Sequence, residues 1–104
     1  MIREAGIMKL YPGVVEEYKK RHDEIWPELV ADIKEHGAKN YSIYFDEKTN
    51  QLFSYLEIED EELWQQRAGA EITKKWWAYM ADLMETNEDN SPVYIQIPEV
   101  FHLD

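Results

Sequence analysis

Histidine is the side chain best suited to giving and taking a proton near neutrality, because its reference pKa is about 6.5. This chain has three, His22, His36 and His102. His22 stands out by its neighbours: Tyr18 precedes it by one helical turn and Trp26 follows it by one. Residues four apart on a helix lie on one stripe, so the imidazole is expected among rings. Two readings fit that position. One is a partly buried, hydrogen-bonded structural histidine; the other is a general acid or base in an aromatic-walled pocket. Asp23 and Glu24 follow directly. Adjacent helical positions point apart, so these acids are expected to raise the local negative field rather than touch the ring. His36 stands just before Gly37, in the last turn of its helix, where a cation complements the helix dipole and a structural role suffices. His102 lies two residues from the end of the sequence and carries no signal.

A second feature is the pair Trp76-Trp77, flanked by Lys74-Lys75 and Tyr79. Two adjacent indoles on a helix cannot both enter one core stripe. Either they divide between packing and an interface, or they form a flat stacking platform matching the C–H face of a sugar. Tyr41, on a predicted strand, fits cross-strand packing and a hydroxyl in the same space equally well. With no cysteine and no close ligand spacing among the histidines, no bound metal is expected. Neither a glycine-rich phosphate loop nor a serine-centred elbow occurs.

Composition narrows the partners. Lys and Arg number 11 against 22 Asp and Glu, a formal net charge of -11. Such a surface repels phosphate backbones and anionic lipid, so nucleic acid and membrane partners are not expected and a neutral small molecule is. The 104 residues fit one domain. A domain of this size gains stability by burying further surface in a homodimer, and its 13% aromatic residues exceed what a small core hides. No apolar run approaches a spanning length and Met1-Ile2-Arg3-Glu4 lacks a signal-peptide core, so a cytoplasmic location is the expectation.

The elements that must position these residues follow from periodicity. Residues 2–10 read as a buried strand. From Val14 to Ile33 apolar residues recur at three and four, predicting a helix that Pro27 must bend or split and Gly37 terminates. Residues 38–46 and 52–58 form a hairpin around the polar turn 47–51. Asp60 opens a short helix, and a further helix runs from about Ala70 to Met84. A last strand is expected from Val93 to His102, with Pro98 arguing for an edge or a break. The order β-α-β-β-α-β is that of an α+β, ferredoxin-like domain with helices on one sheet face. Pairing two open faces would make a dimeric α+β barrel.

Five segments in order resemble the L-rhamnose mutarotase family: Tyr18-Lys19-Lys20-Arg21-His22, Ile25-Trp26-Pro27-Glu28-Leu29, His36-Gly37-Ala38 with Asn40-Tyr41, Lys75-Trp76-Trp77 with Tyr79-Met80, and Asp89-Asn90-Ser91-Pro92. The similarity runs from Ile2 to about Leu103. Two departures, Asp23-Glu24 in place of Asn-Pro and a proline-free Glu85 to Glu88, add carboxylates beside the expected site. The resemblance implies a homodimeric α+β barrel working without metal or organic cofactor in cytoplasmic rhamnose catabolism. It implies His22 as proton donor, and Tyr18, Tyr41, Trp76 and Trp77 as sugar contacts. Anomer interconversion would then have His22 protonate the ring oxygen while Tyr18, Tyr41 or a water relays the complementary proton. Fold alone leaves a cofactor-free monooxygenase, a lactone isomerase or a non-catalytic dimeric binding module as alternatives.

Overall fold

A computed structural model describes residues 1–104. The chain opens with strand β1 (Ile2–Lys9), followed by helices α1 (Val15–Asp23) and α2 (Pro27–Glu35). The hairpin β2 (Ala38–Asp46) and β3 (Gln51–Ile58) comes next. Short α3 (Glu61–Gln65) then continues through a 3-10 turn, Gln66–Gly69, into α4 (Glu71–Met80), and β4 (Ile95–Ile97) closes the sheet. The strand order is β2-β3-β1-β4 and every neighbouring pair is antiparallel. This is the expected α+β, ferredoxin-like arrangement.

Proline decides the break between α1 and α2. It cannot donate the hydrogen bond a helix interior needs, and it forces the residue before it into extended backbone. Trp26 accordingly has φ -64 and ψ 130, and Pro27 occupies the first turn of α2, where its missing donor costs nothing. Gly37, at φ +85, reverses the chain after α2. Asp60 caps α3, its carboxylate accepting from the backbone N–H of Glu62 and Leu63.

Period-two alternation sets what each sheet face carries. Leu52, Ser54, Leu56 and Ile58 of β3 are buried toward the helices. Register places Met8 opposite Leu52 and Gly6 opposite Ser54, so β1 presents the same face. One core joins Met8, Leu10, Tyr18, Leu52, Met80 and Met84; a smaller one holds Ala38, Leu56 and Ile58 with Ile33 and Trp64 against it. The opposite face carries Tyr44, Phe53, Ile7 and Ile95, of which Tyr44 and Ile95 are exposed.

Two expected boundaries are corrected. The helix expected to reach Met84 ends at Met80. Backbone beyond it serves β1 instead: Tyr11 N–H donates to the Leu83 carbonyl at 2.9 Å, Glu85 N–H donates to the Lys9 carbonyl at 3.0 Å, and Leu10 bridges Met84. The strand expected over 93–102 keeps only Ile95–Ile97. It lies at the sheet edge and ends where Pro98 removes a donor, after which Arg3 grips Glu99 through two bonds of 2.9 and 2.8 Å.

β2 also contains a bulge that alternation alone does not predict. Asn40 and Tyr41 together oppose the single residue Leu56, with Asn40 at φ +50 and its amide donating to Glu57 at 3.0 Å. An extra residue flips the phase of the strand. Lys39 lies on the open face with Glu57, whereas Tyr41 is turned to the helix side, as are Ile43 and Phe45.

Candidate active site

A cavity of about 690 Å³ lies between the helices and the sheet. Tyr18, His22, Tyr41, Trp76 and Trp77 all line it. Three elements converge to achieve this: α1 supplies Tyr18 and His22 one turn apart, α4 supplies the indoles, and the bulge of β2 supplies Tyr41.

The spacing between α1 and α4 is held by Arg21. Its guanidinium donates to Glu17 on its own helix at 2.8 Å, to the Tyr79 carbonyl at 2.6 Å and to Asp82 at 2.9 Å. It also lies 4.4 Å over the Tyr79 ring. Cation, carboxylate and ring thus staple the C-terminal half of α1 to the end of α4. A ladder of rings fills the gap. His22 sits 4.4 Å from Tyr18 and 5.3 Å edge-on from Trp76, which meets Trp26 at 5.0 Å. Edge-to-face and tilted arrangements at these separations are the favourable ones for aromatic quadrupoles.

His22 is bound asymmetrically. Its Nδ1 lies 3.0 Å from the Tyr18 carbonyl oxygen. A carbonyl only accepts, so Nδ1 carries a hydrogen and Nε2 is the nitrogen available for proton exchange. Burial among the rings pushes the imidazole pKa below its ordinary 6.5, partly opposed by the Tyr18 carbonyl and by Asp23. The negative field expected from Asp23 is therefore present but outweighed by desolvation. Asp23 is also engaged elsewhere, accepting from Lys19 at 2.8 Å.

Both phenols stay protonated at neutral pH. Burial pushes the Tyr18 hydroxyl well above the usual phenol range, and Tyr41 adds to the effect. Tyr41 is 42% exposed, and desolvation raises its pKa too, while Arg67 pulls the other way. Both hydroxyls are therefore present as phenols rather than phenolates. Trp76 packs on the core as well as lining the cavity, and Trp77 lines the cavity too. Both rings are presented to the same space.

His36 lies apart, its Nδ1 donating to the Asp32 carbonyl at 2.7 Å, and His102 pairs with Asp104 at 2.7 Å. No group of three or more His, Asp or Glu side chains converges in a ligating arrangement.

The family model described as L-rhamnose mutarotase matches residues 3–103. The chain belongs to the L-rhamnose mutarotase family. It is 56% identical over 104 residues to the L-rhamnose mutarotase of Lachnoclostridium phytofermentans and 55% identical over 104 residues to that of Bacillus subtilis, covering 100% of both chains in each case. Its fold matches the crystal structure of L-rhamnose mutarotase FA22100 from Formosa agariphila with a TM-score of 0.93, 45% identity and 100% coverage of both chains. A protein from Mycobacterium tuberculosis, Rv0793, shares the fold at a TM-score of 0.62 and 10% identity, over 98% of this chain and 97% of that one.

Within this L-rhamnose mutarotase fold, further residues reach the cavity that sequence reasoning did not single out. Arg67, Asn90 and Pro92 line it. Arg67 sits in the 3-10 turn between two helices, where no periodic pattern marks it. Asn90-Ser91-Pro92 was legible only as part of the family resemblance.

Proposed function

We propose that His22 is the proton donor of an anomer interconversion carried out in this cavity, with Tyr18, Tyr41, Trp76 and Trp77 holding the sugar. The chain is an L-rhamnose mutarotase, a carbohydrate isomerase interconverting the α and β anomers of L-rhamnopyranose. The observation that carries the assignment of roles is the convergence of five residues from three elements on one cavity, with only Nε2 of His22 free.

Opening the pyranose requires a proton at the ring oxygen and loss of one from the anomeric hydroxyl. Protonated His22, made a stronger acid by desolvation, delivers the first through Nε2. The hydroxyl of Tyr18 or Tyr41 relays the second, or directs a water that does. Rotation about C1–C2 and the reverse transfers close the ring on the other face. Trp76 and Trp77 offer flat apolar surface to the sugar's C–H face and its C6 methyl. Only protons move, so no electron acceptor or group carrier enters the scheme.

The same proposal includes a homodimer and a cytoplasmic place in rhamnose catabolism. The dimer is supported by the sheet face opposite the helices, where Tyr44 is 67% and Ile95 59% exposed. No helix is long and apolar enough to cross a membrane.

Exchange NMR on L-rhamnose at anomeric equilibrium tests the chemistry. Wild-type protein should accelerate exchange between the anomer signals, and His22→Ala should lose about 10²–10⁴-fold of that rate. Undiminished exchange in His22→Ala removes the histidine from the mechanism.

A further inference from the structure

Arg67 is buried beyond what an ordinary surface cation needs. Its side chain is only 15% exposed, and Nε donates to Asp32 Oδ2 at 2.7 Å. The guanidinium carbon stands 4.6 Å over the Trp64 ring. Asp32, itself 9% exposed, is further held by the Thr73 hydroxyl at 3.2 Å. Carboxylate, ring and hydroxyl come from α2, α3 and α4, so three elements fix the orientation of one arginine.

An arginine carries five N–H donors in a planar fork. One is used by Asp32, and the Nη groups have no hydrogen-bond partner in the chain. They are not sealed in, because no buried polar atom of the protein lacks a partner and Arg67 lines the cavity. A pre-positioned fork opening on an apolar-walled cavity is a hydroxyl-recognition device: it offers two parallel donors at the spacing of a vicinal diol. Arg67, Tyr41, Tyr18 and His22 line one cavity, so the arginine and the histidine end belong to one site.

We infer that Arg67 is a specificity-determining residue whose Nη groups donate to adjacent ring hydroxyls of the sugar, and that Asp32 is the residue that positions it. The inference rests on the sugar-binding reading of the cavity. It assigns Arg67 to binding and discrimination, with proton transfer left to His22.

Indole fluorescence titrations with L-rhamnose and its 2-, 3- and 4-deoxy analogues test this, run beside the exchange measurement. For wild type, one analogue or two adjacent ones should bind about ten- to a hundredfold more weakly than L-rhamnose, the range for a hydrogen bond to a charged donor. Arg67→Met should weaken L-rhamnose by a similar factor and abolish that discrimination. Arg67→Lys keeps the charge beside Asp32 but not the fork, so it folds with less risk and should lose discrimination as well. Loosening the anchor with Asp32→Asn should shift the same ratios in the same direction, which a purely structural Asp32 would not do. Unchanged ratios in the Arg67 variants, or an equal loss on every sugar, would overturn the inference. Binding with intact ratios but no accelerated exchange would sink the catalytic reading while leaving Arg67 in place; no binding by wild type would sink both.

Discussion

At the residue scale, the histidine's tautomer is set by main chain. The Tyr18 carbonyl that receives Nδ1–H belongs to the backbone, so changing the side chain at position 18 leaves that bond in place. Tyr18→Phe therefore isolates the phenol. If its hydroxyl relays the second proton, kcat should drop while the pH midpoint set by His22 barely moves; an unchanged kcat assigns the relay to Tyr41 or water. The lowered pKa of His22 has two readable consequences. Its protonated fraction declines as pH rises, so kcat/KM for a proton donor should fall with increasing pH through a midpoint below 6.5. A profile rising over that range would make His22 a base. In stability the sign reverses. The unfolded chain binds the proton more tightly than the folded one, so the contribution of this site is complete above 6.5 and is lost as pH falls toward the folded pKa. Thermal melts of wild type and His22→Phe should diverge in slope across that window. The Tyr18-His22 part of the expected stripe was legible because helical spacing is local. Trp26 leaves it, because Pro27 holds Trp26 in extended backbone after α1, where its ring meets Trp76 and Tyr79 instead of His22. Arg67 was not, since its meaning depends on Asp32, 35 positions away in sequence.

At the element scale, regular pieces were readable and their ends were not. The α1–α2 break follows from the stereochemistry of Pro27 alone. By contrast α4 stops four residues before its apolar pattern does, because backbone groups at Leu83 and Glu85 are taken by the end of β1. No window along the sequence contains that competition. The bulge at Asn40-Tyr41 was equally hidden, although it decides which way Tyr41 points. The residue just before β4 illustrates a third kind of long-range constraint. The Tyr94 ring lies against Gly6 so closely that an added Cβ would overlap it, and its hydroxyl donates to Glu4 at 2.9 Å. Gly6→Ala should cost about 1–3 kcal/mol in denaturant unfolding, the range for overpacking. The same substitution made in a Tyr94→Ala background should be nearly neutral. Equal costs in both backgrounds would show that the ring is not what excludes the methyl group.

At the scale of the whole molecule, the sheet divides two jobs between its faces. Helices and cavity occupy one side; Tyr44, Phe53, Ile7 and Ile95 form an apolar surface on the other. A charge introduced there would be desolvated without a partner on association. Sedimentation should therefore find wild type at twice 12.5 kDa and Ile95→Lys at 12.5 kDa. Wild type running as a monomer would remove the dimer from the proposal. The two-sidedness of the sheet has one more consequence, for how the enzyme responds to its substrate. In a dimer joined back to back, the two sugar sites open outward, separated by a pair of sheets packed about 10 Å apart. No helix, loop or shared side chain described above runs from one site to the other. Each subunit should then saturate as if its twin were absent, giving a hyperbolic curve with a Hill coefficient of one and a flux proportional to how many subunits are folded.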